Sequence, residues 1–207
     1  MVKGYTHVCV LLDASYSMRK AAGNVKAALR DFLMDQRLAI ANGEAMYFDA
    51  YKFGSKLQHF VRNAPFASAS DPIGNYCADM YGTALNDAIC VSVDELGQFF
   101  ASQPENLRPD AVLFVIVTDG HDNSSKRYAF SDVQKRVVEQ TNKYNWKFIL
   151  IATGIDGSAT AVKLGFDLNA PDGRNTVCQC ATHAELGKNL RSSMNDRLAK
   201  TWAQRGK

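Results

Sequence analysis

The sequence lacks the patterns that would place it in several common functional classes. No apolar run approaches the ~20 residues of a transmembrane helix, and no basic-then-apolar signal segment precedes the first strand-like run. It has no G-x-G-x-x-G motif and no Walker-type loop, so we do not expect a nucleotide. The net charge of +3 is too small to indicate nucleic-acid binding. We therefore expect no membrane segment and no nucleic-acid partner.

Cysteine is also sparse, and its count is odd. Five cysteines are scattered over 207 residues, which favours free thiols in a reducing compartment over a disulfide framework. The segment Cys178-x-Cys180-x-x-His183 offers three ligands to a soft metal, but the chain has no second pair to complete such a site. A strand that happens to carry two cysteines is the simpler interpretation.

What the sequence does contain is an alternation of buried strands and amphipathic helices. Apolar residues make up 46% of the chain, and its length suits one domain over residues 1–207. Short, continuous apolar runs at Val8–Leu12, Ala111–Val117 and Phe148–Ala152 are typical of parallel strands covered on both faces. Helical periodicities separate these runs, so we predict an α/β, doubly wound sheet with helices on both faces.

The remaining segments predict the edges of this sheet and its last helix. Ala45–Phe53 and Lys56–Val61, joined by Gly54-Ser55, are typical of a hairpin at one edge. Residues 62–81 contain prolines, glycine and serines, and we expect a long surface loop there. A C-terminal helix over about 184–207 has an apolar stripe that should dock on the sheet. Its basic residues predict a solvated face, and binding to an acidic partner is the alternative.

Side chains that carry oxygen follow the predicted strands and form one candidate metal site. The five candidates are Asp13, Ser15, Ser17, Thr83 and Asp119. If Val8–Leu12 and Ala111–Val117 are neighbouring strands, their carboxyl ends form the crevice where open α/β sheets bind ligands. Hydroxyl and carboxylate oxygens suit a hard cation, Mg²⁺ or Mn²⁺, better than zinc. Helix capping explains each residue alone equally well, but their convergence from three loops favours the metal site.

This ordered set resembles the signature of von Willebrand factor type A (vWA) domains. Asp13–Ser17 matches their Asp-x-Ser-x-Ser motif, Gly82-Thr83 matches their threonine, and Thr118–Gly120 matches their second aspartate. The chain departs from the commonest form at Tyr16, where many members have glycine. The resemblance covers nearly the whole chain. It implies a Rossmann-like, six-stranded, mainly parallel sheet with one antiparallel edge strand.

In vWA domains these positions form a metal-ion-dependent adhesion site (MIDAS). The resemblance implies that Ser15, Ser17 and Thr83 bind Mg²⁺, or Mn²⁺ or Ca²⁺, directly. Asp13 and Asp119 would act through bound water, and a vacant position would accept an Asp or Glu carboxylate from a protein partner. Stand-alone domains of this size resemble bacterial or phage members. We therefore expect a cytoplasmic interaction module, with a component of a larger assembly such as a virion as the alternative.

A hydrolase is the main alternative function. Phosphoryl-transfer enzymes of the haloacid dehalogenase type also place an aspartate after the first strand of a Rossmann-like sheet, which would give Asp13 a catalytic role. Those enzymes need a second acidic residue two positions later, where this chain has Ser15. No general acid is evident either, so we expect the protein not to be an enzyme.

Overall fold

Strands and helices alternate along the chain in a computed structural model that describes residues 4–40, 45–66, 73–170 and 172–205. The strands are β1 (Tyr5–Asp13), β2 (Ala45–Phe53), β3 (Leu57–Pro65), β4 (Ala111–Thr118), β5 (Trp146–Thr153) and β6 (Asn175–Cys180). The helices are α1 (Ala22–Ile40), α2 (Leu85–Ser102), α3 (Phe130–Tyr144), α4 (Gly157–Lys163) and α5 (His183–Arg205). Short 3-10 helices span Tyr16–Lys20 and Glu105–Leu107.

The six strands form one sheet in the order β3-β2-β1-β4-β5-β6. Every neighbouring pair is parallel except β2 and β3, which form the antiparallel hairpin at one edge. All residues of β1, β4 and β5 are buried, as expected for parallel strands that are covered on both faces. The predicted fold class, including the single antiparallel edge strand, is confirmed.

Two apolar cores lie on opposite faces of the sheet. Alternate residues of β1 enter each core, since successive side chains of a strand point to opposite faces. Val8, Val10 and Leu12 pack with α1 and α5, whereas Cys9 and Leu11 pack with α2, α3 and α4. Burial of each large apolar side chain contributes about 1.5–3 kcal/mol. Within the described residues, no helix is long and apolar enough to cross a membrane.

The segment predicted as a surface loop over 62–81 differs from that expectation. Strand β3 continues to Pro65, because register shifts at Ala50 and a positive φ of 42° at Asn63 let it follow the whole of β2. Residues 67–72 of the predicted loop lie outside the described part of the chain. Farther along, Ile73 and Tyr76 are fully buried, so the loop covers the core next to α1.

Helix α5 also differs in part from the prediction. Its apolar stripe is buried as expected, with Leu186, Leu190 and Met194 all at 0% exposure. Lys188 and Lys200 are exposed, as predicted for a solvated face, but two arginines contact neighbouring elements. Arg191 forms a bidentate pair with Asp35 on α1 at 2.9 and 2.8 Å, and Arg197 is buried against β6. These two arginines join α5 to α1 and β6. The charge pattern along the sequence did not predict these contacts.

Candidate metal site

The carboxyl ends of β1 and β4 meet at the point where the strand order reverses. Strand β1 pairs with β2 on one side and with β4 on the other, in parallel register on both. Asp13 ends β1 and Thr118 ends β4, and the Thr118 hydroxyl donates a 2.7 Å hydrogen bond to Asp13 Oδ2. This reversal is the position at which open α/β sheets form a ligand crevice.

Asp13 is fully buried at the base of this crevice. Its Oδ1 accepts a 2.8 Å hydrogen bond from the amide of Ser15, and the Tyr76 hydroxyl donates to its main-chain oxygen at 2.6 Å. Burial raises the pKa of Asp13 above its usual range, although hydrogen bonds from Ser15 and Thr118 act in the opposite direction. The charge of Asp119 raises this pKa further. A cation in the crevice would offset the cost of holding the Asp13 carboxylate ionised.

A chain of hydrogen bonds joins the two serines to the second aspartate. The hydroxyls of Ser15 and Ser17 are 2.9 Å apart, and the Ser17 hydroxyl donates to Asp119 Oδ1 at 2.7 Å. Ser15 precedes the first 3-10 helix, yet its side chain makes no capping hydrogen bond. The capping interpretation therefore does not account for Ser15.

Thr83 reaches the same crevice from the loop before α2. Its amide donates to Asn123 Oδ1 at 2.9 Å, and the amide of Asn123 donates back to the Thr83 carbonyl at 3.0 Å. The Thr83 hydroxyl lies 3.5 Å from the position that a Cβ on Gly120 would occupy. Gly82 has a φ of +64°, and a Cβ there would lie 2.2 Å from Ser124 Oγ. Only glycine allows this close approach.

The loop after β4 caps the start of α2. Asp122 accepts a 2.8 Å hydrogen bond from the amide of Asn86, and Ser125 accepts from the amide of Asp87 at 3.0 Å. Asp122 follows β4 in the chain, yet it caps α2 and not α3, the next helix in sequence. At the start of α3 it is Asp132 that accepts from the amide of Ala129. Because Asp122 accepts a hydrogen bond from the first turn of α2, the loop that carries Asp119 is joined to the loop that carries Thr83.

Aromatic side chains form the rim of the crevice. Met80 pairs with the β1 loop in a parallel bridge to Ser15, which brings the next residue, Tyr81, alongside Tyr16. The two tyrosine rings are 4.4 Å apart in an edge-to-face arrangement, and the Arg19 guanidinium lies 4.0 Å from the Tyr16 ring centre. Tyr81 is 72% exposed, so this rim presents a large aromatic surface beside the predicted metal ligands.

His183 contacts Asp119, and the sequence analysis did not predict this contact. Its Nε2 lies 3.1 Å from Asp119 Oδ2. The sequence had grouped His183 with Cys178 and Cys180, but the structure does not bring them together as a metal site. Cys180 is buried, which raises its pKa to about 11, and its sulfur accepts a hydrogen bond from Asn189. Within the described ranges, no three His, Cys, Asp or Glu side chains are grouped to hold a metal.

One signal in the sequence pointed to His183. It follows the end of β6 by three residues, and β6 is parallel to β4 and β5. Parallel strands place their carboxyl ends at the same edge of a sheet, so the turn after β6 lies at the edge that carries Asp119. His183 and Asp119 are 64 residues apart in the sequence, so no local pattern indicates that they are in contact.

Comparison with solved structures identifies the fold. No family model and no curated protein matches the chain. A von Willebrand factor type A structure from Catenulispora acidiphila has a TM-score of 0.58 and 17% identity, covering 92% of this chain and 42% of that one. The chain has the vWA fold. Proximal thread matrix protein 1 of the mussel byssus, with a zinc-occupied MIDAS motif, has a TM-score of 0.64 and 14% identity.

The similarity to these proteins is one of fold, and it covers only part of each of them. The mussel protein is covered over 47% of its length and this chain over 92%. The PilB minor pilin of Streptococcus sanguinis has a TM-score of 0.63 and 12% identity, over 96% of this chain and 62% of the pilin. The chain thus spans less than two thirds of each of these structures.

Proposed function

We propose that this vWA-fold chain is a metal-dependent protein-interaction module. Its crevice would hold a divalent cation, and the cation would bind an Asp or Glu carboxylate of a partner protein. The observation that carries this proposal is the convergence of hydroxyl and carboxylate groups at the strand-order reversal. The contributing residues are Asp13, Ser15, Ser17, Thr83 and Asp119, of which Ser15, Ser17 and Thr83 would be the direct ligands.

The distances in the crevice support this assignment. Neighbouring ligands of an octahedral cation with bonds of ~2.1 Å are ~3.0 Å apart. The Ser15 and Ser17 hydroxyls, two of the proposed direct ligands, are 2.9 Å apart, which suits one small cation. The Ser17 hydroxyl also donates to Asp119 Oδ1 at 2.7 Å, so this carboxylate lies beside the site, where it would bind the cation through water. Mg²⁺ is the first candidate, with Mn²⁺ and Ca²⁺ as alternatives, because all three prefer oxygen ligands.

Charge also supports a cation with one position left for a partner. Neutral hydroxyls in direct contact leave most of the charge of the cation uncompensated. The carboxylates of Asp13 and Asp119 are nearly inaccessible to solvent, at 0% for the Asp13 residue and 3% for the Asp119 side chain. An anion from outside the chain would therefore bind directly to the cation at its open position, and we propose a carboxylate side chain of a partner as that ligand.

The surface around the crevice is suited to a protein partner. Tyr and Arg are enriched at protein interfaces and carry much of the binding energy there. Tyr16, Arg19 and the exposed Tyr81 form such a surface directly beside the proposed ligands. Similar solved structures include a byssus matrix protein, a minor pilin and a pilus adhesin, which agrees with an interaction role.

The position of Asp13 argues against the alternative function, a hydrolase that uses Asp13 as its nucleophile. A nucleophilic carboxylate needs an oxygen that can reach the substrate. Asp13 is 0% exposed, and its two carboxylate oxygens accept hydrogen bonds from Ser15 and Thr118.

The free cysteines, of which Cys77 is exposed, favour a reducing compartment, and we propose the cytoplasm.

Thermal unfolding tests the metal site directly. Wild type and Asp119→Ala are melted in EDTA and then with Mg²⁺ or Mn²⁺. Metal at ~100 times its Kd should stabilise wild type by ~2.7 kcal/mol, and Asp119→Ala should show no metal response. Asp132→Ala is the matched control, because it removes an aspartate that caps α3 away from the crevice. Equal metal responses in wild type and Asp119→Ala would show that the site is wrongly assigned.

A further inference from the structure

A cavity of about 490 Å³ lies between the edge hairpin and the second half of α2. Its apolar surface comes from Leu96, Phe99 and the ring of Tyr51. Its polar groups include the imidazole of His59 and the carboxylate of Glu95. Ligand cavities in proteins typically combine apolar walls with a few polar groups in roughly 300–1,000 Å³. None of the proposed metal ligands lines this cavity, so a ligand here would not depend on the metal site.

Two histidines share the carboxylate of Asp49 at the base of this cavity. Burial alone would raise the pKa of Asp49, but the hydrogen bonds from His59 and His7 lower it to about 2. An ionised carboxylate only accepts hydrogen bonds, so both rings donate to it from Nε2, at 2.6 Å from His7 and 2.5 Å from His59. In a neutral ring, Nδ1 is then an acceptor. The Tyr5 hydroxyl lies 3.0 Å from His7 Nδ1 and donates to it.

The Nδ1 atom of His59 has no such donor. Within the described residues this buried atom makes no hydrogen bond, and the His59 side chain is only 8% exposed. Glu95 Oε2 lies 3.6 Å from it, which is too long for a hydrogen bond. A buried acceptor without a donor destabilises the protein. A donor placed between His59 Nδ1 and the Glu95 carboxylate would bond to both.

We infer that this cavity binds a small organic amine, whose ammonium group lies between His59 Nδ1 and the Glu95 carboxylate. An ammonium group offers three N–H donors and a positive charge. Glu95 supplies the opposite charge, and the apolar part of the amine would pack against Leu96 and Phe99. The Tyr51 hydroxyl donates to Glu95 Oε2 at 3.1 Å, and its ring stacks on His59 with 3.8 Å between the ring centres. Tyr51 therefore holds both acceptors in position.

The charges around the cavity favour an amine over an acid. The carboxylate of Asp49 lies behind His59, and that of Glu95 faces the cavity, so an anionic ligand would be repelled. Arg62 also lines the cavity, but it is exposed, and solvent ions screen its charge. An amino acid whose carboxylate binds Arg62 is the rival ligand, and the experiment below separates it from a simple amine.

Calorimetric titration with three probes of similar shape tests the inference. The probes are 2-phenylethylamine, the neutral 2-phenylethanol and the anionic 3-phenylpropionate. We expect the amine to bind at least about 10-fold more tightly than the alcohol, as for a hydrogen bond to a charged group, and the acid not to bind. Glu95→Gln should weaken amine binding by a similar factor and still accept from Tyr51, so its fold should be intact. Glu105→Gln, an exposed glutamate outside the cavity, is the matched control. No amine binding, equal binding of amine and alcohol, or no effect of Glu95→Gln would overturn the inference.

Nitrogen-15 NMR of the histidine rings locates the ammonium group. The amine should shift the Nδ1 resonance of His59, which gains a donor, and leave that of His7, which already accepts from Tyr5. A bound amine that leaves the His59 resonance unchanged would lie elsewhere and overturn the inference. L-Phenylalanine adds a carboxylate to the same amine and should bind less tightly. Tighter binding that is lost in Arg62→Ala would assign the cavity to an amino acid and overturn the simple amine.

Discussion

The hydroxyl of Ser17 donates a 2.7 Å hydrogen bond to Oδ1 of Asp119, which lies 102 residues later in the chain. This contact joins the loop after β1 to the loop after β4 at the centre of the proposed metal site. Ser17 is exposed and belongs to neither apolar core, so the contact contributes to the site more than to the fold. Ser17 can therefore be changed without loss of structure.

Ser17→Ala should weaken metal binding and leave the fold intact. The substitution removes a proposed ligand, so we expect the Kd for Mg²⁺ or Mn²⁺ to rise at least about 10-fold. The free energy of unfolding in EDTA should change by no more than about 0.5 kcal/mol, as is usual for surface positions. Calorimetric titration and urea unfolding measure the two quantities. Ser131→Ala, at an exposed position in the first turn of α3, is the matched serine control. Equal Kd values for wild type and Ser17→Ala would count against Ser17 as a ligand.

Gly82→Ala should destabilise the protein and disturb Thr83. The φ of +64° at Gly82 costs a residue with a Cβ about 1–2 kcal/mol, and the new methyl group would lie 2.2 Å from Ser124 Oγ. Gly23→Ala is the matched control, since a Cβ there meets nothing within 4 Å and the residue lies in α1. That variant should be stabilised by roughly 0.5–1 kcal/mol. Urea unfolding of both variants checks the prediction, which fails if Gly82→Ala is as stable as wild type.

A buried carboxylate away from the crevice makes stability depend on pH. Asp49 on β2 contacts His7 Nε2 at 2.6 Å and His59 Nε2 at 2.5 Å. Burial alone would raise the pKa of Asp49, but the hydrogen bonds and charges of the two histidines outweigh it and lower the pKa to about 2. The pKa of the carboxyl in the unfolded chain is about 3.9. Its contribution to stability is therefore complete above about pH 4 and is lost as the pH falls toward 2.

Asp49→Asn should be strongly destabilised at neutral pH and less so in acid. The substitution leaves two buried histidines without a carboxylate, which typically costs about 3–5 kcal/mol. The difference in the free energy of unfolding from wild type should shrink between pH 4 and pH 2, because wild type alone loses the interaction there. Urea titrations at pH 7, 4 and 2.5 measure this difference. A difference that stays constant over these three values would contradict the role of Asp49.

Adjacent residues of α5 should respond very differently to truncation. Leu190 is 0% exposed in the core beneath α1 and α5, so Leu190→Ala should cost about 2–5 kcal/mol. The Arg191 side chain is 43% exposed, and its pair with Asp35 should contribute no more than about 1 kcal/mol. Thermal and urea unfolding of both variants compare these costs. A larger loss for Arg191→Ala would mean that the ion pairs, and not the apolar stripe, hold the helix.

Much of the fold was predictable because its signals are local. The runs Val8–Leu12 and Ala111–Val117 are continuous and apolar, and such runs are typical of parallel strands that are covered on both faces. The hairpin at the sheet edge was predicted from the turn at Gly54-Ser55, and the structure has it between β2 and β3. The end of β3 was not predictable, since Asn63 and the register shifts depend on pairing with β2.

The sequence by itself determined the alternation of elements and which oxygen-bearing residues end up at strand ends. Those features depend on side-chain type and spacing within about ten residues. Only the tertiary structure decided that Asp122 caps α2, that Arg191 pairs with Asp35, and that His183 contacts Asp119. Each of these contacts joins residues 36 to 156 positions apart. Sheet order and helix packing bring such residues together, and no local pattern encodes them.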